Sequence, residues 1–298
     1  MRAFVVGRRR RGRKIGTVVQ QTRRRLEAAG WTVETAFVER KKELRQAARH
    51  AVTEQFDVVV AVGGDGAVLQ VVQVLAETDV ALGIVPMGTG NLLAGNLGIP
   101  HQVERAGETL LNGSRRRIDL GRLTIAGKRK YFAVACGVGF DAEVMKGTAK
   151  VHKLRWGKLA YLASAVRKSR KMHNSSHDIE LDGKPSTMDA AQIFIANFGR
   201  MGAGLEPRLQ VAADDGLFDV MVVRAAGPIP GLLAGWEALR QNELGESSAG
   251  HVFRAKASKV KLSSTPLRLV EIDGSVVGTT PVKAAIRPAA LTVIVPAS

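Results

Sequence analysis

The sequence predicts a chain of mixed class, an open parallel α/β domain followed by an antiparallel β domain. Two patterns carry this. Strands and helices alternate through the first third, and after about Gly121 strand-like segments of period two take over. Size agrees, because 298 residues, 45% of them hydrophobic, can build more than one core.

In the first part, residues 3–6 form a short apolar strand. Residues 15–29 have helical character and stop at Gly30, a residue suited to a helix C-cap. Residues 31–35 alternate as a strand, and 41–52 are helical with one charged side. The runs 56–62 and 81–85 are continuously apolar, as buried parallel strands require, and they flank a nearly all-apolar helix at 67–76. In the second part, 122–125, 130–136, 192–197, 217–223, 252–262 and 267–272 read as strands separated by Gly, Pro and Asp, with one helical interlude at 157–171.

The net charge of +17 creates a field that attracts polyanions: nucleotides, anionic headgroups or nucleic acid. With 5% aromatic residues and no recognisable module, a nucleic-acid partner is not expected. Cys136 is the only cysteine, which excludes an intramolecular disulfide and a cysteine-based zinc site and fits a reducing, cytoplasmic setting. An apolar segment followed by arginines reverses the order of a signal peptide. The longest uncharged stretch, 80–100, holds Gly, Pro and Asn that would break a spanning helix. A soluble protein with peripheral membrane contact is therefore expected, and a homodimer is left open.

The sharpest motif is Gly63-Gly64-Asp65-Gly66, between a buried strand and a helix. The strand delivers the loop to the C-terminal edge of the sheet, where open α/β sheets bind ligands. Glycines let backbone N–H groups approach phosphate oxygens, and the helix N-terminus adds partial positive charge. An acid there would repel phosphate, so Asp65 makes sense as a holder of Mg²⁺ or as an acceptor of a proton from an attacking hydroxyl. A second glycine loop, Pro86-Met87-Gly88-Thr89-Gly90-Asn91, ends the next strand and should lie beside the first. Thr89 and Asn91 can donate hydrogen bonds to a nucleotide.

Two other patterns are weaker. Residues 7–14 nearly spell a phosphate loop, but Arg13 stands where Lys is needed and Lys14 where Ser or Thr is needed. His173 and His177 have metal-site spacing without a nearby cysteine, and read better as satisfied or solvated histidines.

Together these residues resemble the diacylglycerol kinase catalytic-domain family, which includes bacterial lipid kinases and sphingosine and ceramide kinases. Ile118-Asp119-Leu120-Gly121 is similar to the family's link into its second domain. Tyr131-Phe132, Gly137-Val138-Gly139-Phe140-Asp141-Ala142, Gly157-Lys158-Leu159-Ala160-Tyr161-Leu162, Asp214-Asp215-Gly216-Leu217-Phe218-Asp219-Val220 and Ile272-Asp273-Gly274 match later stretches in order. The resemblance implies a nucleotide-binding domain over 1–121, rejoined by a returning segment 287–298, and a β-sandwich lipid domain over 122–286, with ATP in the cleft between them. It implies nucleotide contacts at Thr35, Gly63, Gly64, Asp65, Gly66, Gly88, Thr89, Gly90 and Asn91, and a structural Mg²⁺ on Asp215 and the carbonyls of Ala212 and Leu217.

The chain departs from the family pattern at four places. An arginine run replaces the usual Asn-Pro-x-x-Gly loop, Ala67 replaces a Thr, Leu92 replaces an Asp, and Ser275 stands where bacterial members carry a Glu proposed as proton acceptor. Ser275 cannot be a general base at neutral pH, so that role falls to Asp65, with Asp273 as second candidate. The reaction so implied is transfer of the ATP γ-phosphoryl group to a lipid hydroxyl on the inner face of a membrane, with basic clusters at 8–14, 115–117, 128–130, 146–155 and 167–171 holding anionic headgroups. Two alternatives stay open: a kinase of a soluble substrate, like NAD kinase, although its Asn-Glu pair is found here only at Asn242-Glu243; and a catalytically weak regulatory protein that binds ATP and lipid.

Overall fold

A computed structural model describes residues 1–9, 14–139, 174–199, 212–224, 244–246 and 251–297. The first half contains β1 (Arg2–Arg8), α1 (Ile15–Ala28), β2 (Thr32–Val38), α2 (Lys41–Thr53), β3 (Val58–Gly63), α3 (Asp65–Leu75), β4 (Ala81–Pro86), α4 (Leu92–Asn96), α5 (Val103–Asn112), β5 (Ser114–Ile125), β6 (Lys128–Phe132) and β7 (Ala135–Val138). The second half contains β8 (Ser175–Leu181), β9 (Lys184–Ala190), β10 (Gln192–Ala196), β11 (Phe218–Val223), β12 (Gly245–Glu246), β13 (Val252–Ala257), β14 (Lys259–Thr265), β15 (Leu269–Ile272), β16 (Ser275–Thr279) and β17 (Val282–Val295). The expected helix at 157–171 and His173 lie outside the described residues.

The N-terminal strands form a parallel sheet in the order β2-β1-β3-β4. β3 and β4 are buried throughout, which is why they read as unbroken apolar runs. Helix α1 ends as Gly30 predicts. Gly30 has φ +80°, its N–H donates to Glu27 O at 2.9 Å, and the N–H of Trp31 reaches back to Leu26 O at 3.1 Å. Gly7, in the arginine-rich near-motif, is explained by packing: a Cβ there would sit 2.7 Å from Val19 Cγ2 and 2.8 Å from Ile15 Cγ2.

β17, of 14 residues, joins both halves. Its Val293 pairs in parallel with Leu82 of β4, while its whole length runs antiparallel to β5. Residues 114–118 of β5 face 291–295, and 120–125 face 282–287. Between these registers β17 bulges, with Ala289 at φ +50°. The buried Asp119 fills the gap: its Oδ1 accepts from Ala289 N at 2.7 Å and its Oδ2 from Gly216 N at 2.9 Å. β5 therefore passes unbroken through position 121.

The antiparallel part is a sandwich. One wall is the extension of the first sheet through β17, β14, β8 and β9, with β5 and β6 alongside; the other is a separate sheet ordered β12-β13-β11-β10-β7-β15-β16. Their inner faces share one core, including Leu123, Ile179 and Leu262 from the first wall and Cys136, Ile193, Val220 and Val270 from the second.

Two expected strands turn out to be two strands each. Residues 130–136 divide into β6 and β7, and 252–262 into β13 and β14, each pair lying in different sheets. Both corners are held by an aspartate from a distant hairpin. Asp273 accepts from the amides of Ala133, Val134 and Ala135, and Asp182 from those of Ser258 and Lys259. Amides captured by a side chain leave the ladder, and the chain turns into the other sheet. Both aspartates precede glycine in a two-residue hairpin with positive φ at both positions, +44° and +74° for Asp273-Gly274 and +47° and +86° for Asp182-Gly183. Helix α5 and the β8–β9 hairpin are elements that the sequence pattern did not reveal. Among the described residues no helix is long and apolar enough to cross a membrane.

Candidate active site

The two glycine loops end adjacent strands β3 and β4, and they are laced together at three levels. Met87 N donates to Gly63 O at 2.8 Å. Gly64 and Gly88 meet so closely that a Cβ on Gly64 would lie 2.7 Å from Gly88 Cα, and one on Gly88 2.6 Å from Gly64 Cα. Above them, Asp65 Oδ2 accepts from Asn91 N at 2.8 Å and Oδ1 from Leu92 N. Gly90 is required by the same contact, since a Cβ there would come within 2.8 Å of Asp65 Oδ2. The acid in the first loop thus caps the first turn of α4 in the second.

Asn91 is buried and adopts the left-handed conformation, φ 47° and ψ 48°. Its Oδ1 accepts from Gly88 N at 2.8 Å and its Nδ2 donates to Gly88 O at 3.2 Å. Its amide is therefore spent on shaping the loop. Thr89 and Gly90 stay exposed at the tip. Gly63 admits no side chain because Ala67 Cβ would be 2.7 Å away, while Gly66 opens the first turn of α3, whose leading N–H groups have no carbonyl partner within the helix.

Lys41, at the start of α2, was not singled out from the sequence. Its Nζ lies 3.5 Å from the position of a Gly66 Cβ, so a cation flanks the glycine loop. Arg45, one turn along α2, has a buried Nε without a hydrogen-bond partner, and burial followed by the Arg45 charge lowers the pKa of Lys130 on β6. Lys41 and Arg45 thus bring two positive charges to the side of α2 nearest the loop and β6. A hint was available: α2 follows a strand whose C-terminal end lies at the same sheet edge as the loop.

Thr35 is placed differently from expectation. Strand β2 continues to Val38, so Thr35 is mid-strand and level with Val60, across Val5. That is three residues, about 10 Å, short of the level of the glycine loop.

Asp273 lies in the turn between β15 and β16 of the sandwich. Its Oδ2 accepts from Ala133 N at 2.8 Å, and its Oδ1 from Val134 N at 2.9 Å and Ala135 N at 3.0 Å. Burial pushes its pKa up to about 6 against these amides, and the charge of Asp65 adds to the rise. Glu271 is raised as well, by burial and then by Asp273, and its side chain packs over Gly137. Ser275 begins β16 directly after the turn.

Several other expected features resolve. His177 is fully buried and satisfied, with Nδ1 2.8 Å from Ser264 Oγ and Nε2 3.1 Å from Ala190 O. Burial pushes the Cys136 thiol up, which leaves it an inert core residue. In the 115–117 cluster, Arg116 pairs with Asp214 at 2.8 Å and Arg117 Nε donates to Ala289 O at 3.1 Å, so both serve the junction between the halves. Asp215 Oδ2 lies 2.7 Å from Lys256 Nζ. The segments 146–155 and 167–171, and Asn242-Glu243, lie outside the described residues. A groove of about 790 Å³ lined by Thr124, Ile179, Lys261 and Val282 lies on the wall that extends the first sheet and shares no residue with the glycine loops.

A parallel sheet carries the paired glycine loops and is joined to a β-sandwich whose Asp273-Gly274 turn holds the corner between β6 and β7. Residues 3–123 match the diacylglycerol kinase catalytic domain, and residues 134–295 match the YegS C-terminal NAD kinase beta sandwich-like domain. The chain belongs to the diacylglycerol kinase catalytic-domain family. It is 28% identical over 264 residues to a diacylglycerol kinase of Bacillus subtilis, covering 88% of this chain and 85% of that one. It is 30% identical over 265 residues to a protein of Synechocystis sp., covering 86% of this chain but only 58% of the relative's length. A crystal structure of a Bacillus anthracis protein proposed to be a diacylglycerol kinase superposes with a TM-score of 0.81 at 21% identity, covering 99% of this chain and 96% of that one, and establishes the shared fold.

Proposed function

We propose that the chain is an ATP-dependent lipid kinase that transfers the γ-phosphoryl group to a lipid hydroxyl. The observation that carries this reading is the pair of glycine loops at the ends of adjacent strands, laced together by Met87 and by the Asp65 carboxylate. In-line phosphoryl transfer needs positioning and charge neutralisation, and the first-turn amides of α3 with Lys41 beside them provide both. Mg²⁺ bound to the nucleotide would supply further neutralisation of the phosphate charge. Asp65 keeps the loops in register and orients or deprotonates the acceptor alcohol. Asp273, with a pKa raised to about 6 by burial, is the second candidate for that role, which Ser275 cannot fill.

The lipid acceptor is supported by the family and by the Bacillus subtilis relative's name. Peripheral contact with an anionic membrane is supported by the net charge of +17 and by exposed Lys128 and Arg129 at the tip of the β5–β6 hairpin. Each basic residue near such a surface contributes about 1 kcal/mol.

The test is transfer of label from γ-labelled Mg-ATP to a panel of lipid alcohols in anionic mixed micelles. Label in the organic phase supports the reading and names the acceptor class. A second reading, a regulatory protein that binds nucleotide and lipid, is favoured by one observation: both Asp65 oxygens already accept backbone amides. Measurable ATP binding without transfer to any lipid would select it.

A further inference from the structure

We propose that the ammonium group of Lys256 takes the place of a structural divalent cation, so that the loop carrying Asp215 is held by an internal charge. The family resemblance implies Mg²⁺ on Asp215 and the carbonyls of Ala212 and Leu217, and the residues present do not fit it. Asp215 is the only carboxylate of that donor set. Its Oδ2 lies 2.7 Å from Lys256 Nζ, and its Oδ1 accepts from Leu217 N at 3.1 Å. Mg²⁺ demands near-octahedral oxygen ligation at about 2.1 Å. A lysine brings positive charge and three donors but no lone pair. Both partners are partly shielded, with 31% of the Lys256 and 25% of the Asp215 side chain accessible.

The sheet places the lysine. Lys256 on β13 is in register with Asp219 on β11, but Asp219 is taken by the buried Arg254, whose Nε lies 2.8 Å from Asp219 Oδ1. Asp215, just before β11, is the acid to which Lys256 turns. The other side of the same loop grips the ribbon joining the two halves. Asp119 N donates to Ala213 O at 2.7 Å, Gly216 N donates to Asp119 Oδ2 at 2.9 Å, and Arg116 pairs with Asp214 at 2.8 Å. The loop is thus anchored on the sandwich by Lys256 and on the β5–β17 ribbon by Asp119 and Arg116. Lys256 is a positioning residue: it balances Asp215 and holds the sandwich side of the loop whose other side grips the ribbon.

Thermal unfolding of the nucleotide-free full chain, in EDTA and in millimolar MgCl₂, tests this. The wild type should show the same Tm in both, and Mg²⁺ should not co-elute with it after desalting. Lys256→Met should lower Tm in EDTA by about 3 °C or more. Mg²⁺ should restore at least half of that loss, and the double variant Lys256→Met/Asp215→Asn should not respond. A wild type stabilised by Mg²⁺ in a way that Asp215→Asn removes would overturn the proposal, and this arm decides even if Lys256→Met does not fold. So would a Lys256→Met variant that is unchanged, or destabilised without rescue by Mg²⁺.

Discussion

The backbone amide of Asn91 donates to Asp65 Oδ2 at 2.8 Å, so the acid of the first glycine loop is also the clasp of the second. A carboxylate with about four acceptor sites can hold two amides and still address a substrate proton.

Asn91→Ala is expected to lose the two side-chain bonds to Gly88 and to strain the left-handed backbone, whereas Asn91→Gly loses the bonds alone. Alanine should therefore be the more destabilising by about 1 kcal/mol in chemical denaturation. Both variants should bind ATP more weakly than the wild type. Equal stability of the two variants would mean that the backbone conformation at 91 carries no strain.

The contact between Gly64 and Gly88 is backbone against backbone, so Gly64→Ala must push the loops apart. An increase of about tenfold or more in the ATP dissociation constant is expected, equivalent to about 1.4 kcal/mol. Gly95→Ala is the control. It lies in α4 with nothing within 4 Å of its added Cβ, and should leave nucleotide binding unchanged. Isothermal titration of both variants with ATP checks the pair, and a Gly64→Ala affinity equal to that of the wild type would remove the laced loops from the nucleotide site.

Much of the first half was legible because its signals are local. A buried parallel strand is apolar at every position, a phosphate loop must be glycine where backbones touch, and Gly30 closes α1 through its own φ. The strand corners were not legible, because the group that bends the chain at Ala133–Ala135 lies up to 140 residues away at Asp273. What the sequence does carry is the Asp-Gly pair of each hairpin, which marks a turn without saying which amides its carboxylate will take. Thr35 reads as the end of a strand, but the apolar Ala36, Phe37 and Val38 carry β2 three positions further along the edge of the sheet. Lys41 was hidden by number: one lysine at a helix start does not stand out among 44 basic residues.

Asp273 also sets a pH dependence. Its folded pKa, about 6, is above the ordinary 3.8, mainly through burial. The stabilisation it contributes is fully present below about 3.8 and is lost as pH rises through about 6. Urea denaturation of wild type and Asp273→Asn at a series of pH values should show the wild type losing stability relative to the variant across this window. A constant difference would place the Asp273 pKa at its ordinary value and remove it as a tuned acceptor.

The most direct test of the central claim is ADP release from Mg-ATP by the wild type and by Asp65→Asn, with and without lipid alcohols in mixed micelles. The proposed function expects turnover that depends on lipid and falls by about 100-fold or more in the variant. Lipid-independent turnover, or full activity in Asp65→Asn, would contradict it.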